Sequence, residues 1–263
     1  MTAVLSPART GRSTGTSALR LDSVSKVYGR GGGAVHALDT VSLNVEPGEF
    51  VCLVGASGCG KSTLLSLVAG LDTPTAGEIT VAGDRDPALM FQESALFPWL
   101  TVAGNVGLPL RLRRVPRAAR ADRVAELLRA VHLEDFGNKR PHELSGGMRQ
   151  RVALARTLAL DSTVLLMDEP FGALDAMTRD LLHDELERIW VERKLSIVFV
   201  THNVREAARL GDRIVLLSSR PGRIVSEYRV DQPRPRRIDS AEIATVAAEV
   251  THALREEVRR HGG

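Results

Sequence analysis

Short apolar runs alternate with helical patterns along most of this 263-residue chain. Four runs are typical of buried strands, at 49–54, 164–167, 197–200 and 214–217. The segments with apolar residues at helical spacing lie between these runs, at 63–70, 178–190 and 204–210. Such alternation predicts an α/β fold whose parallel sheet carries helices on both faces.

The N-terminal part and the middle of the chain depart from this alternation. Strand-like runs at 19–27 and 41–45 surround a glycine-rich loop, and 78–81 is a further short strand. The middle, at about 93–160, is mostly helical, with apolar side chains recurring from Val124 to Val131.

Both ends of the chain differ in composition from the main domain, which we place at 19–235. Residues 1–18 are rich in Ser, Thr, Gly, Ala and Arg, and we expect a disordered tail there. Residues 236–263 form a C-terminal extension with a helix at about 241–260, where Asp239 and Glu242 resemble a capping box.

Composition narrows the class of protein. Apolar residues make up 43% and charged residues 25%, which is ordinary globular usage. The net charge of +3 does not indicate nucleic acid, and we expect no nucleic-acid partner. Two cysteines, Cys52 and Cys59, fit a reducing cytosol. No apolar run approaches the roughly 18 residues that span a bilayer, so any membrane role would be peripheral and through a partner.

The glycine-rich turn after the strand at 49–54 matches the pattern G-x-x-x-x-G-K-[ST]. Glycines let backbone N–H groups point at one phosphate chain, and the following helix start adds its positive end. Lys61 would reach the β- and γ-phosphates, and the Ser62 hydroxyl would hold Mg²⁺. Cys59 is either a redox-active thiol or a small filler. The predicted nucleotide-binding residues are Gly55, Ala56, Ser57, Gly58, Cys59, Gly60, Lys61, Ser62 and Thr63.

Two carboxylates end the apolar strand at 164–167. Asp168 would hold Mg²⁺ beside the phosphate loop, and Glu169 would orient and deprotonate the attacking water. His202 follows the strand at 197–200, where a contact to the γ-phosphate competes with a purely structural role. The predicted catalytic residues are thus Glu169, His202 and Lys61.

The segment Leu144-Ser-Gly-Gly-Met-Arg-Gln-Arg151 resembles the signature sequence of ABC ATPases, with Met148 where glutamine is common. The resemblance covers residues 19 to about 230. It implies that Tyr28 stacks on adenine, that Gln92 is a Mg²⁺ ligand and catalytic sensor, that Asp175 belongs to the D-loop, and that His202 is the switch histidine. It also implies that Ser145, Gly146 and Gly147 bind the ATP of a second subunit.

The resemblance implies a P-loop NTPase (RecA-like) core with an N-terminal antiparallel β subdomain and an inserted α-helical signature subdomain. It further implies ATP and Mg²⁺ as cofactors and a head-to-tail homodimer. Non-transport ABC ATPases acting on DNA or ribosomes are the alternative class, but their long coiled-coil insertions do not fit between Ser145 and Asp168. Exporter ATPases are a third alternative, but they are often fused to membrane-spanning segments, and the sequence shows no such segment.

Three further segments, 97–102, 170–179 and 219–224, resemble the nitrate, sulfonate and taurine importer branch. We favour aliphatic sulfonate as the solute, with nitrate or taurine as alternatives. This branch implies an integral membrane permease, an indirect solute-binding protein, and a location on the cytoplasmic face of the cell membrane. The loop at 83–91 is shorter than usual, and Asn203 stands where aspartate is frequent.

Residues 97–100, Phe-Pro-Trp-Leu, follow Gln92 closely and are unusually apolar for a loop. We interpret them as part of a groove for a short cytoplasmic helix of the permease. The alternative is core packing beneath the helical subdomain. The arginine-rich stretch at 111–120 is interpreted as a solvated helix face, with a lipid or nucleic-acid contact as the alternative.

Overall fold

The computed structural model describes residues 11–13 and 17–261, with side chains from Ser17 onward. Ten strands occur in the described residues: β1 Gly11–Ser13, β2 Leu19–Tyr28, β3 Val35–Val45, β4 Phe50–Val54, β5 Ala76–Ala82, β6 Ala88–Met90, β7 Val164–Asp168, β8 Ser196–Val200, β9 Arg213–Leu217 and β10 Ile224–Arg229. The α-helices of the same residues are α1 Lys61–Val68, α2 Val102–Leu112, α3 Arg117–Ala130, α4 Gly146–Leu158, α5 Ala176–Arg193, α6 Val204–Leu210 and α7 Ala241–His261.

The central sheet has six strands in the order β10-β9-β4-β8-β7-β6. All neighbours are parallel except β10, which runs antiparallel to β9. The side chains of alternate β4 residues pack into two different hydrophobic cores, one on each face of the sheet. Phe50 and Cys52 pack with the helical side of the molecule, whereas Val51 and Leu53 pack with α1 and the N-terminal sheet. Burial on both faces explains why this strand is a continuous apolar run.

The N-terminal sheet has four strands in the order β1-β5-β2-β3. Its pairs are antiparallel except for β1 with β5, which are parallel. The predicted disordered tail at 1–18 therefore differs from the structure at Gly11–Ser13, which form a strand, and at Ala18, which is buried. Residues 1–10 and 14–16 of that predicted tail lie outside the described residues.

The helical subdomain consists of α2, α3 and α4, which pack on one another and on the adjoining edge of the central sheet. At the other end of the chain, α7 packs on α6 and buries Ile243, Ala247 and Val250 in the main core. The capping box predicted at Asp239 is wrong. Ser240 Oγ accepts from the backbone N–H of Ile243, while Asp239 binds Arg237.

Two strands of the central sheet were absent from the sequence-based prediction. The three-residue β6 is too short to show a period, and β10 alternates half-buried with exposed residues. β6 matters for the site because Met90 pairs with Met167, which brings Gln92 to the strand edge that carries Asp168. No described helix is both long and apolar enough to cross a membrane.

Candidate nucleotide-binding site

The phosphate loop, residues 55–62, connects the buried end of β4 to the first turn of α1. Gly60 precedes α1 with a φ of 105°, which side chains other than glycine rarely adopt. A Cβ there would also lie 2.8 Å from the Ala37 carbonyl oxygen. The loop therefore needs glycine at this position, and the resulting turn presents the start of α1 to an anion.

Lys61 lies folded back into the phosphate loop. Its Nζ donates to the carbonyl oxygens of Gly55 and Ala56, each at 2.9 Å, and lies 3.8 Å from Cys59 Sγ. The residue is only 6% exposed. Cys59 is buried as well, so its side chain is a small filler of the loop. A phosphate entering the loop would meet an ammonium group that the backbone already holds inside it.

Asp168 lies at the end of β7, next to the phosphate loop. The Ser62 side chain lies close enough to lower the pKa of Asp168. Burial raises the pKa of Asp168, and the charge of Glu169 raises it further, while Ser62 and Lys61 act in the opposite direction. A hydroxyl beside a carboxylate supplies the hard oxygen ligands that Mg²⁺ prefers, and Mg²⁺ sites usually need substrate phosphates and water as well. The described residues contain no cluster of three or more acidic, His or Cys side chains that could hold a metal.

Glu169 and His202 form a pair across the ends of two neighbouring strands. His202 Nδ1 lies 2.8 Å from Glu169 Oε2, although the histidine side chain is 65% exposed. Glu169 has a φ of 44°, in the left-handed region that few non-glycine residues adopt. Such strained positions concentrate at functional sites. The pair thus combines a proton acceptor with an orienting imidazole at the open edge of the sheet.

Gln92 lies at the same edge, beyond β6, and its side chain is exposed. Its carbonyl oxygen accepts from Gln150 Nε2 of α4 at 2.9 Å. Arg156 of α4 donates to the carbonyl oxygens of Ser94 and Ala95 at 2.8 and 2.7 Å. The segment after Gln92 is thereby connected to the helix that begins with the signature sequence.

Tyr28 ends β2 on the other side of the phosphate loop. Its hydroxyl donates to Asp72 Oδ2 at 3.0 Å. Burial and the Asp72 carboxylate raise the pKa of Tyr28. The residue is 42% exposed, and Lys26 Nζ lies 4.8 Å from the ring centroid. Tyr28 is therefore connected to the segment that follows α1.

The signature residues 145–147 form the N-terminus of α4. Ser145 Oγ accepts from the Met148 N–H at 3.2 Å, and Ser145 and Gly146 are exposed. Gly147 is buried and packs closely on α5: a Cβ at this position would lie 2.4 Å from Thr178 Cγ2. Asp175 caps α5, accepting from the Thr178 N–H at 2.9 Å. The signature helix and the helix after Asp175 are consequently packed against each other at their starts.

A buried charged network beneath His202 was not predicted from the sequence. His183 of α5 is fully buried, with Nε2 2.5 Å from Glu206 Oε1 and Nδ1 3.0 Å from Arg209 Nη1. Glu206 also accepts from the hydroxyl of Thr201, the residue before His202. Asn203 Oδ1 caps α6, so this departure from the family pattern preserves the cap. The network joins α5 and α6 next to His202.

Comparisons with known proteins identify the family. A family model described as ABC transporter matches residues 38–172. The nitrate import ATP-binding protein NrtD of Synechocystis sp. is 48% identical over 221 residues, which cover 82% of this chain and 83% of that protein. The aliphatic sulfonates import ATP-binding protein SsuB of Bacillus cereus is 44% identical over 228 residues, covering 84% and 90%.

A solved structure agrees with this result. The dimeric structure of MJ0796, a bacterial ABC transporter cassette, matches with a TM-score of 0.72 at 35% identity, covering 82% of this chain and 100% of that one. The predicted fold class and the predicted resemblance are both confirmed. The chain belongs to the ABC transporter family and is one of its ATP-binding cassettes.

Proposed function

We propose that this chain is the ATP-hydrolysing subunit of an ABC importer and that it works as a homodimer against an integral membrane permease. The observation that carries the proposal is the convergence of Lys61, Ser62, Asp168, Glu169 and His202 at one edge of the central sheet. The ATPase domain would occupy 19–235, with its helical subdomain at about 93–160, and 236–263 would be an extension.

Each residue has a chemical role in this proposal. Backbone N–H groups of residues 55–62 and the Lys61 ammonium bind the phosphate chain, and Tyr28 supports the base. Mg²⁺, held by Ser62, Asp168 and Gln92, would neutralise charge on the phosphate oxygens. Glu169 orients and deprotonates the attacking water, and His202 holds the Glu169 carboxylate in place at 2.8 Å.

The proposed dimer is head to tail. Residues 145–147 leave an exposed helix start, which can serve as a second anion site for ATP bound by the other subunit. Met177 and Leu181, on the first turns of α5 after Asp175, are 78% and 54% exposed. An apolar surface beside the D-loop is suited to contact with a second copy of the chain.

A groove of 720 Å³ between α2 and α3 is the proposed permease surface. Its apolar lining includes Leu100, Leu108, Val124 and Leu128, and four arginines also line it, Arg111, Arg117, Arg120 and Arg129. Arg111 and Arg117 are exposed, as a solvated helix face predicts, and they border the open groove. The occupant we propose is a short amphipathic permease helix with apolar and acidic side chains. Binding at this groove would hold the chain peripherally at the cytoplasmic face of the membrane.

We retain aliphatic sulfonate as the predicted solute, with nitrate or taurine as alternatives. The named relatives import different solutes at similar identity, 48% for nitrate and 44% for aliphatic sulfonates. The ATP-binding subunit need not touch the solute, so selection would occur in the permease and in a solute-binding protein. Growth of a deletion strain on single nitrogen or sulfur sources would distinguish these solutes.

The test of ATP hydrolysis compares wild type with Glu169→Gln in steady-state phosphate release and in dimer mass with MgATP. Glu169→Gln should retain ATP and the dimer but lose at least about a hundredfold in turnover, because a positioned base typically contributes 10²–10⁴-fold. Glu192→Gln is a matched control, since Glu192 is a surface residue that pairs with Arg188. Near-normal turnover of Glu169→Gln would refute the role of Glu169.

A further inference from the structure

The loop after β9, residues 218–223, lies against the phosphate loop. This follows from the sheet topology, because β9 is the parallel neighbour of β4 and Val54 pairs with Leu216. The carboxyl ends of two neighbouring parallel strands lie at the same edge of a sheet. The turn that follows β9 must therefore lie beside the turn that follows β4.

Arg220 makes the direct polar contact between the two loops. Its Nε donates to the Gly58 carbonyl oxygen at 3.3 Å, and its Nη2 lies 3.6 Å from where a Cβ on Gly58 would be. The side chain is otherwise exposed. Gly58 has a φ of 75°, so the chain turns sharply where the guanidinium reaches it.

This contact fixes the direction of a backbone N–H group on the phosphate-facing side of the loop. The Gly58 carbonyl and the Cys59 N–H belong to one planar trans peptide and point in opposite directions. A guanidinium that holds the carbonyl outward therefore holds the N–H toward the loop interior. It also polarises the peptide, which strengthens the N–H as a donor. In the structure this N–H donates to the Ala56 carbonyl oxygen at 3.3 Å, a long bond that a phosphate oxygen could replace.

Three further contacts keep Arg220 in this position. Gly222 donates to the Ala37 carbonyl, and a Cβ on Gly222 would lie 2.2 Å from the Cys59 carbonyl oxygen, so the loops touch closely there. Arg223 Nε donates to Asp39 Oδ2 at 2.9 Å. Glu257 of α7 accepts from the Ser219 N–H at 3.3 Å and is 4% exposed. The C-terminal helix thus supports the loop that carries Arg220.

We propose that Arg220 is a positioning residue of the phosphate site: by holding the Gly58–Cys59 peptide it increases the affinity of the phosphate loop for the phosphate chain of a nucleotide. The proposal rests on the nucleotide-binding role assigned above to residues 55–62. Arg220 should affect nucleotide binding and not the chemical step, because it supports a contact made in the ground state. In the strand order of the sheet, β9 and the strand that ends before Glu169 lie on opposite sides of β4. Turnover at saturating ATP should change little.

The experiment measures the Kd for MgADP by titration calorimetry, and KM and kcat for ATP, with full-length protein. Arg220→Ala should raise the Kd and the KM by roughly tenfold, the size expected for a charge-assisted hydrogen bond, with kcat within about twofold. Arg220→Lys should recover part of the affinity, since a lysine keeps the charge but has a different geometry. Arg229→Ala is the control, because it removes an exposed arginine of β10 that lies outside the loop at 218–223.

Three results would overturn the proposal. The first is an Arg220→Ala variant with wild-type Kd, and the second is an Arg229→Ala variant with the same loss, which would assign the effect to the loss of a positive charge in general. The third is a fall in kcat with unchanged KM. If Arg220→Ala fails to fold, Arg220→Lys gives the same comparison at smaller amplitude. Wild-type protein that does not bind MgADP would overturn the proposed function itself, which distinguishes the two failures.

Discussion

Trp99→Ala tests whether the residues after Gln92 contact the permease or only stabilise the fold. Trp99 is 67% exposed, and its ring lies 5.4 Å from that of Phe97. A third of a roughly 250 Å² side chain is about 80 Å² of buried surface, worth about 2 kcal/mol at 25 cal/mol per Å². The aromatic pair adds about 1 kcal/mol. The whole loss is smaller than the roughly 5–15 kcal/mol that keeps a domain folded.

The fold should therefore survive, with a Tm lower by roughly 5–10 °C. The neighbouring backbone has its own support, because the Asn105 side chain binds the N–H and the carbonyl of Phe97 at 2.8 and 3.2 Å. If Trp99 is an anchor of the permease contact, its loss should cost at least about 2 kcal/mol of binding, or roughly thirtyfold in affinity. Uptake should then fall far more than ATP hydrolysis by the isolated subunit.

The assay measures solute uptake in cells together with ATP hydrolysis and thermal melting of the purified subunit. Leu71→Ala is the matched control, since Leu71 is 63% exposed but lies in the loop after α1, away in the sequence from residues 97–100. Of those four residues, Leu100 lines the groove itself. Cysteines at 97–100 should crosslink to cytoplasmic loops of the permease with a yield that changes on adding ATP. Unchanged uptake in Trp99→Ala, or an unfolded subunit, would show that the reasoning is wrong.

Two further predictions concern the dimer and the metal ligand. A mixed dimer of Ser145→Arg and Lys61→Ala subunits keeps one intact composite site, so it should hydrolyse ATP while each mutant homodimer does not; equal inactivity of all three would contradict the head-to-tail arrangement. Asp168→Asn should raise the Tm of the metal-free protein at neutral pH, because the raised pKa of Asp168 makes stability fall as pH rises from the ordinary carboxyl range through the raised value. The same variant should lose the Mg²⁺-dependent part of the stabilisation by ADP. Thermal melts at pH 5 and pH 8 measure the first effect, and melts with ADP in the presence and absence of Mg²⁺ measure the second.

The parts of the site that are contiguous in sequence could be predicted, because a local pattern determines them. Residues 55–62 lie between a strand and a helix, and the pattern specifies Gly55, Gly60, Lys61 and Ser62 at fixed spacing. Asp168 and Glu169 follow an apolar strand whose neighbours are also parallel strands, so their common edge follows from the fold class. His202 could be placed at that edge for the same reason, whereas its contact to Glu169 needed the three-dimensional structure.

Local patterns failed where a competing contact decided the outcome. Asp239 has the residue type and the spacing of a helix cap, but it pairs with Arg237 at 3.0–3.1 Å, and Ser240 takes the position at the helix start. The arginines of residues 111–120 are largely exposed, as the pattern of a solvated helix predicts. That Arg111, Arg117 and Arg120 also border a groove depends on the tertiary packing of α2 and α3, for which the sequence carries no pattern.

Polar contacts between distant segments are the part that the sequence leaves open. Arg220 and Gly58 are 162 residues apart, and an arginine in a loop is ordinarily interpreted as solvated. His183 and Glu206 belong to different helices, and neither shows a pattern that indicates burial. Strand order decides the first case. Once β9 is known to lie beside β4, the loop at 218–223 must meet the phosphate loop, and its arginine acquires a partner that no linear pattern could identify.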